Sequence, residues 1–256
     1  MEGRQINDIE RERTVGEILN AALAIYRRYP LLFAALAVGV IAPFELAKLS
    51  ITGVGPFGSA GSESAGTLAL FELIYYVLVG PLISALHVHA VVDIGAGRAP
   101  KLGDVAIRGL RVLPVVVAAE IIAGILIALG FIALVIPGVI LSLRWAVVAQ
   151  TAAVDNEGWL PALRRSRTLT QRNYMHIFGL QIAVALLTSG IGLVFGLGTA
   201  GNGAGAGSVL LGIAVYTVIA SFTALTLAIL YFDLRARQST PAHRSTPEYQ
   251  ELRDLD

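Results

Sequence analysis

Five ionisable side chains fall inside stretches that are otherwise apolar: Glu45, Lys48, Glu72, Glu120 and Arg144. A charge at the centre of a bilayer costs about 2.5–3.5 kcal/mol on insertion scales, so each must be paired or used. Paired, these groups fix helix packing as buried ion pairs. Used, they form a polar site for a substrate or a proton inside a helix bundle. At about 1.5 Å per helical residue, Glu120 and Arg144 lie about 10 and 16 Å in from the same membrane face. They are therefore expected to pair, with Glu45 as the rival partner of Arg144. Lys48 and Glu72 both sit near the opposite boundary and are expected to meet there.

Other chemistry is sparse. The chain has no Cys, which excludes disulfides, thiolate catalysis, thiolate metal sites and a lipoprotein anchor. His87 and His89 are two apart, a spacing that points them in different directions on a helix, and His176 stands alone. No metal and no cofactor is expected. His-Glu-x-x-His and Gly-x-Ser-x-Gly are both missing. Gly196-Leu197-Gly198-Thr199-Ala200-Gly201 fits a dinucleotide-binding pattern by letter. It follows an apolar helix where that pattern needs a strand, so it reads as an external loop. No catalytic residue emerges, and the expectation is that the protein is not an enzyme.

The elements that must position the five charges are long apolar runs. Of the 256 residues, 55% are hydrophobic and 14% charged, against about 25% charged in soluble domains. A bilayer core of ~30 Å takes about 20 residues of helix. Six runs qualify: 30–50, 67–92, 112–132, 134–154, 174–197 and 208–233. The third and fourth are joined by a very short turn near Gly130 or near Pro137-Gly138, the second favoured because proline suits the start of a helix. Pro43 and Pro81 are expected to kink their spans.

All but two of the 19 Lys and Arg residues lie before the first span, in the second and fourth connections, or in the tail. The exceptions are Lys48 and Arg144, inside spans. Basic residues mark the cytoplasmic side, so both termini are expected in the cytoplasm of a multi-pass protein. Residues 1–13 mix acid and base and precede no short apolar core, so no cleavable signal peptide is expected. The net charge of +1 argues against a nucleic-acid partner. Richness in Ala, Gly, Val and Arg suggests a bacterial genome and hence the bacterial cytoplasmic (inner) membrane.

Three basic segments read as amphipathic interfacial helices, at about 14–28, 101–113 and 157–170. The first opens on a capping box, Thr14 with Glu17. Val15, Ile18, Leu19, Ala22, Leu23 and Tyr26 then form an apolar stripe. Such helices lie in the headgroup layer, apolar face down. Arg27, Arg28, Arg108, Arg111, Arg164, Arg165 and Arg167 are the candidates for anionic lipid headgroups. The fold class is all-α: a polytopic membrane protein of six transmembrane helices, in three repeats of interfacial helix plus hairpin. The six-span domain covers 14–233, and 234–256 is read as a disordered cytoplasmic tail.

Several strings resemble a known family. Gly16-Glu17-Ile18-Leu19 leading to Tyr26-Arg27, Pro137-Gly138 before Arg144-Trp145, and Ala162-Leu163-Arg164-Arg165-Ser166 with Leu169 are similar to the glycerophosphoryl diester phosphodiesterase membrane-domain family and its YciC-like bacterial inner-membrane relatives. The resemblance covers most of residues 10–235. It implies a multi-helix inner-membrane protein of poorly defined activity. The catalytic phosphodiesterase domain of some relatives is not expected here, since these 256 residues leave no room for a ~250-residue barrel. The expected function is a non-enzymatic structural, lipid-interacting or assembly factor whose partners are membrane lipids. The alternative is a small transporter or channel with a polar site inside the bundle. Protein partners and oligomeric state stay open.

Overall fold

The computed structural model describes residues 9–56, 65–199 and 205–239. Parts of the loops 51–66 and 198–207, the start of the N-terminal segment and the tail from 240 onward lie outside the described residues. So does most of the segment read as disordered.

The described chain is all helix. In order come α1 (Val15–Arg28), α2 (Pro30–Thr52), α3 (Ala65–Ile74), a π-helical turn (Tyr75–Val79), α4 (Gly80–Gly95), α5 (Leu102–Ala133), α6 (Val135–Arg144), α7 (Val148–Asp155), α8 (Trp159–Thr170), α9 (Tyr174–Thr199) and α10 (Ala206–Ser239). Six stretches are long and apolar enough to cross a membrane: Pro30–Thr52, Ala65–Gly95, Leu102–Ala133, Val135–Asp155, Tyr174–Phe195 and Ala206–Ser239. They coincide with the six runs read from the sequence. α10 is the most enclosed and packs on α1, α2, α4 and α8. α9 is the least enclosed and leans on α10, α6 and α1. Residues such as Leu186 and Val194 on its flank stay exposed, as a lipid-facing surface requires.

Local chemistry explains the departures from regularity. Pro81 has no N–H to give to the carbonyl four residues back. The helix absorbs this in the π-helical turn before it, where the Gly80 amide bonds the Tyr75 carbonyl. Spans three and four turn on Leu134 alone, which is fully extended (φ −166°, ψ 153°). That lies between the two expected sites. Pro137 still falls in the first turn of α6, where a missing N–H costs nothing. The turn is tight because Gly130 faces Gly138: a Cβ on Gly130 would stand 3.0 Å from the Gly138 Cα.

The three interfacial units are not alike. The first is a separate helix, α1, ending at Tyr29. The second is continuous with span three as the 32-residue α5, running through Pro114. The third is the separate α8. Nor does α1 present its stripe to headgroups. Ile18 and Ala22 are fully buried against the bundle, because α10 continues to Ser239 and offers an apolar partner. The helical tail residues 234–239 were expected to be disordered. They are held by Asp233–Arg237 and by Gln238 Nε2 donating to the Thr168 carbonyl at 2.7 Å.

The N-terminus of α1 is fixed as the sequence suggests. Glu17 N–H donates to Thr14 Oγ1 at 3.3 Å, and Thr14 N–H donates to Glu17 Oε2 at 2.8 Å. The Thr14 amide, then its hydroxyl, hold the Glu17 carboxyl below its ordinary range. Thr14→Ala is expected to lower stability by about 1 kcal/mol. The stabilisation lost in Glu17→Gln is complete above the ordinary pKa of 4.5 and fades as pH falls through the lower folded value. Thermal unfolding in detergent at several pH values checks both.

Candidate functional site

The five intramembrane charges do not converge. Lys48 Nζ lies 2.7 Å from Glu45 Oε2, three residues back on α2, and both side chains are buried. Lys48 therefore pairs within its own helix and not with Glu72, which is exposed on α3. Glu72 and Glu45 are instead electrostatic neighbours of Tyr75 and Tyr216. Glu120 is half-buried, and its neighbour is Tyr76, whose ring lies over Gly124 one turn along α5. Among the described residues no ion pair joins Arg144 to Glu120 or Glu45, so the expected partners are corrected. Two features account for this: Glu45 has a closer cation on its own helix, and the fourth span is broken beside Arg144.

That break is the main surprise. α6 ends at Arg144 and α7 begins at Val148, although no Gly or Pro stands between. The Arg144 carbonyl is taken by two hydroxyls of α8, Ser166 Oγ at 3.2 Å and Thr170 Oγ1 at 3.0 Å. Thr151 Oγ1 of α7 returns a bond to the Ala162 carbonyl at 3.0 Å. Ala162, Leu163, Ser166, Leu169 and Thr170 are all buried. α8 is thus stitched to the broken span by hydroxyls, and its inner face meets protein.

Two carboxylates that the sequence reading passed over organise one end of the bundle. Asp93, at the end of α4, accepts from Arg98 Nη2 at 2.8 Å and from Arg108 Nη1 at 3.1 Å, and Arg108 Nη2 closes on its second oxygen. Asp233, fully buried on α10, accepts the Arg13 backbone N–H at 2.5 Å and Arg237 Nε at 2.9 Å, with His176 Nε2 3.2 Å away. Arg237 Nη2 also donates to the Arg13 carbonyl at 2.7 Å. The spacing of Asp233 and Arg237, four apart on a helix, is the signal that could have found this pair. Close by, Tyr231 donates to Asp155 Oδ1 at 3.2 Å, and Arg235 pairs with Glu10 at 3.3 Å.

The histidines do not gather into a site. His87 Nδ1 donates to the Ile83 carbonyl at 2.8 Å and its ring stacks on Phe33. His89 senses Arg108 and Asp93. Among the described residues no three His, Asp or Glu side chains form a metal-binding group.

This network divides the candidate lipid-binding arginines. Arg108 is committed to Asp93. Arg27 and Arg28 are exposed at the end of α1, with Arg28 5.7 Å from the Tyr29 ring centre, and Arg111 is exposed on α5. Arg164, Arg165 and Arg167 are exposed on the outer face of α8. Among the described residues no carboxylate pairs with any of these three.

Six helices long and apolar enough to cross a bilayer, in a chain whose described residues hold no strand, define an all-helical, multi-pass integral membrane protein. Comparison with known protein families, curated proteins and solved structures finds no match for this chain.

Removing one member of a buried ion pair strands the other, whereas replacing both by apolar residues is often neutral. Lys48→Met alone is expected to destabilise by about 3 kcal/mol. Glu45→Leu with Lys48→Met is expected to restore most of that loss. Melting temperatures of the three proteins in one detergent check this.

Proposed function

We propose that this protein is a non-enzymatic, lipid-interacting factor of the bacterial cytoplasmic membrane, with both termini in the cytoplasm. Its partner is anionic phospholipid, engaged chiefly through α8. The observation that carries the reading is the pairing pattern of the arginines. Arg98, Arg108, Arg235 and Arg237 are held by carboxylates. Arg164, Arg165 and Arg167 face outward, unpaired among the described residues, on a helix whose other face is locked into the bundle. Trp159 and Leu160, each about two-fifths exposed, extend that surface at its start, an arrangement suited to the headgroup boundary. The transporter alternative drew on intramembrane charge, and the Glu45–Lys48 pair gives it less support.

Each arginine near an anionic surface contributes about 1 kcal/mol. Replacing all three by Gln is expected to lower the preference for anionic lipid about 100-fold. In a Trp145→Phe background Trp159 is the single remaining tryptophan. Its quenching by brominated phosphatidylglycerol is expected to exceed that by brominated phosphatidylcholine, and the triple substitution is expected to equalise them. Equal quenching before substitution would end this reading.

Orientation is testable cleanly because the chain has no Cys. A thiol placed at Glu157 is expected to react only from the cytoplasmic side of sealed vesicles, and one at Gly205 only from the opposite side.

A further inference from the structure

We propose that the interruption of the fourth span is a binding site for a phosphate-type anion, with Arg144 and Gln150 as its ligating side chains. The proposal rests on reading the protein as one that meets anionic lipid.

A helix broken inside an apolar span leaves orphan carbonyls on one side of the break and orphan amides on the other. Here only the carbonyl side is served, by the Ser166 and Thr170 hydroxyls on Arg144. On the amide side Val147 caps α7 and offers no side-chain acceptor. The Val148 amide reaches the Trp145 carbonyl at 3.1 Å and the Thr151 amide the Val147 carbonyl at 3.0 Å. Ala149 and Gln150 stand in the first turn of α7, where the amides have no acceptor within the helix. Spare amides at the positive end of a helix dipole attract an anion.

A second observation points the same way independently. Gln150 is 1% exposed, and neither its Oε1 nor its Nε2 has a hydrogen-bond partner among the described residues. It is the third residue of α7. Helical side chains lean toward the N-terminus, so its carboxamide leans back over the break. From that position a Gln normally closes a capping box, but Val147 supplies no hydroxyl to answer it. Arg144, the last residue of α6, is the cation beside the break in the chain. Its Nε is buried without a partner, no carboxylate pairs with it among the described residues, and its half-exposed side chain gives the route in.

The donors fit one class of ligand. A guanidinium fork, two backbone amides and a carboxamide N–H suit the several oxygens of a phosphate. The Gln150 Oε1 accepts from a protonated phosphate oxygen or a headgroup hydroxyl. Phospholipid headgroup and free phosphate share this chemistry.

The test uses the full-length protein in detergent. Inorganic phosphate, short-chain phosphatidylglycerol and short-chain phosphatidylcholine are each titrated, and bound mass is read by native mass spectrometry alongside the melting temperature. Wild type is expected to bind phosphatidylglycerol or phosphate and to melt higher with it, and not to respond to phosphatidylcholine. A response to phosphate alone makes the ligand a free anion. A response to phosphatidylglycerol alone makes it a headgroup. Measured in the α8 triple Arg→Gln background, which removes lipid bound at α8, Gln150→Leu and Arg144→Lys are expected to weaken the remaining binding at least tenfold. If Gln150→Leu raises the melting temperature and leaves binding unchanged, Gln150 is only a poorly satisfied core residue and the proposal is overturned. Wild type that binds neither probe overturns it too. The first result leaves the α8-dependent quenching preference standing, so the two readings fail separately.

Discussion

A carboxylate shut away from solvent must be met by donors, because stranding the charge would cost several kcal/mol. Asp233 has no exposed surface and is met from three sides: the Arg13 amide and Arg237 on its own helix donate to it, and His176 at the start of α9 lies 3.2 Å away. Much of the bundle's geometry follows from that convergence. Fixing Arg13 places Thr14, and Thr14 caps α1. Capped there, α1 lays Ile18 and Ala22 against α10. Fixing His176 sets where α9 leaves the protein, although α9 has few other contacts to hold it. Asp93 does the same work between α4 and α5, and the Ile9 side chain packed over Gly95 brings both centres to one end.

Division of labour among the arginines is the functional counterpart of that arrangement. In the sequence they look equivalent, a basic excess repeated on one side of each hairpin. In the folded chain some are structural clamps on buried acids, and the α8 set is left facing outward. Charge counting locates the membrane face. Only pairing shows which of its charges remain available to a ligand.

The spans were legible because bilayer thickness imposes a length and an apolar composition that no other constraint imitates. Their inner architecture was less so. Lys48 was assigned to Glu72 from depth alone, yet a partner three residues away on the same helix costs less side-chain ordering. Asp93 and Asp233 were overlooked because each stands at the polar end of an apolar run, where an acid passes for part of a loop. The interruption at Trp145–Val147 carries no Gly or Pro. Its cause lies in hydroxyls on another helix, which no local pattern reports. The continuity of α5 through Pro114 was missed for the opposite reason: a residue that often ends helices was tolerated at an exposed position.

The hydroxyl clasp on Arg144 imposes an order on biogenesis. Its two donors lie 22 and 26 residues further along the chain. While the ribosome is still making that stretch, the fourth span carries an exposed main-chain oxygen that lipid cannot satisfy. Lateral release of the second hairpin from the translocon is therefore favoured only after α8 has been synthesised and has folded back. A nascent chain stalled just beyond Asp155 would hold that segment in the aqueous channel.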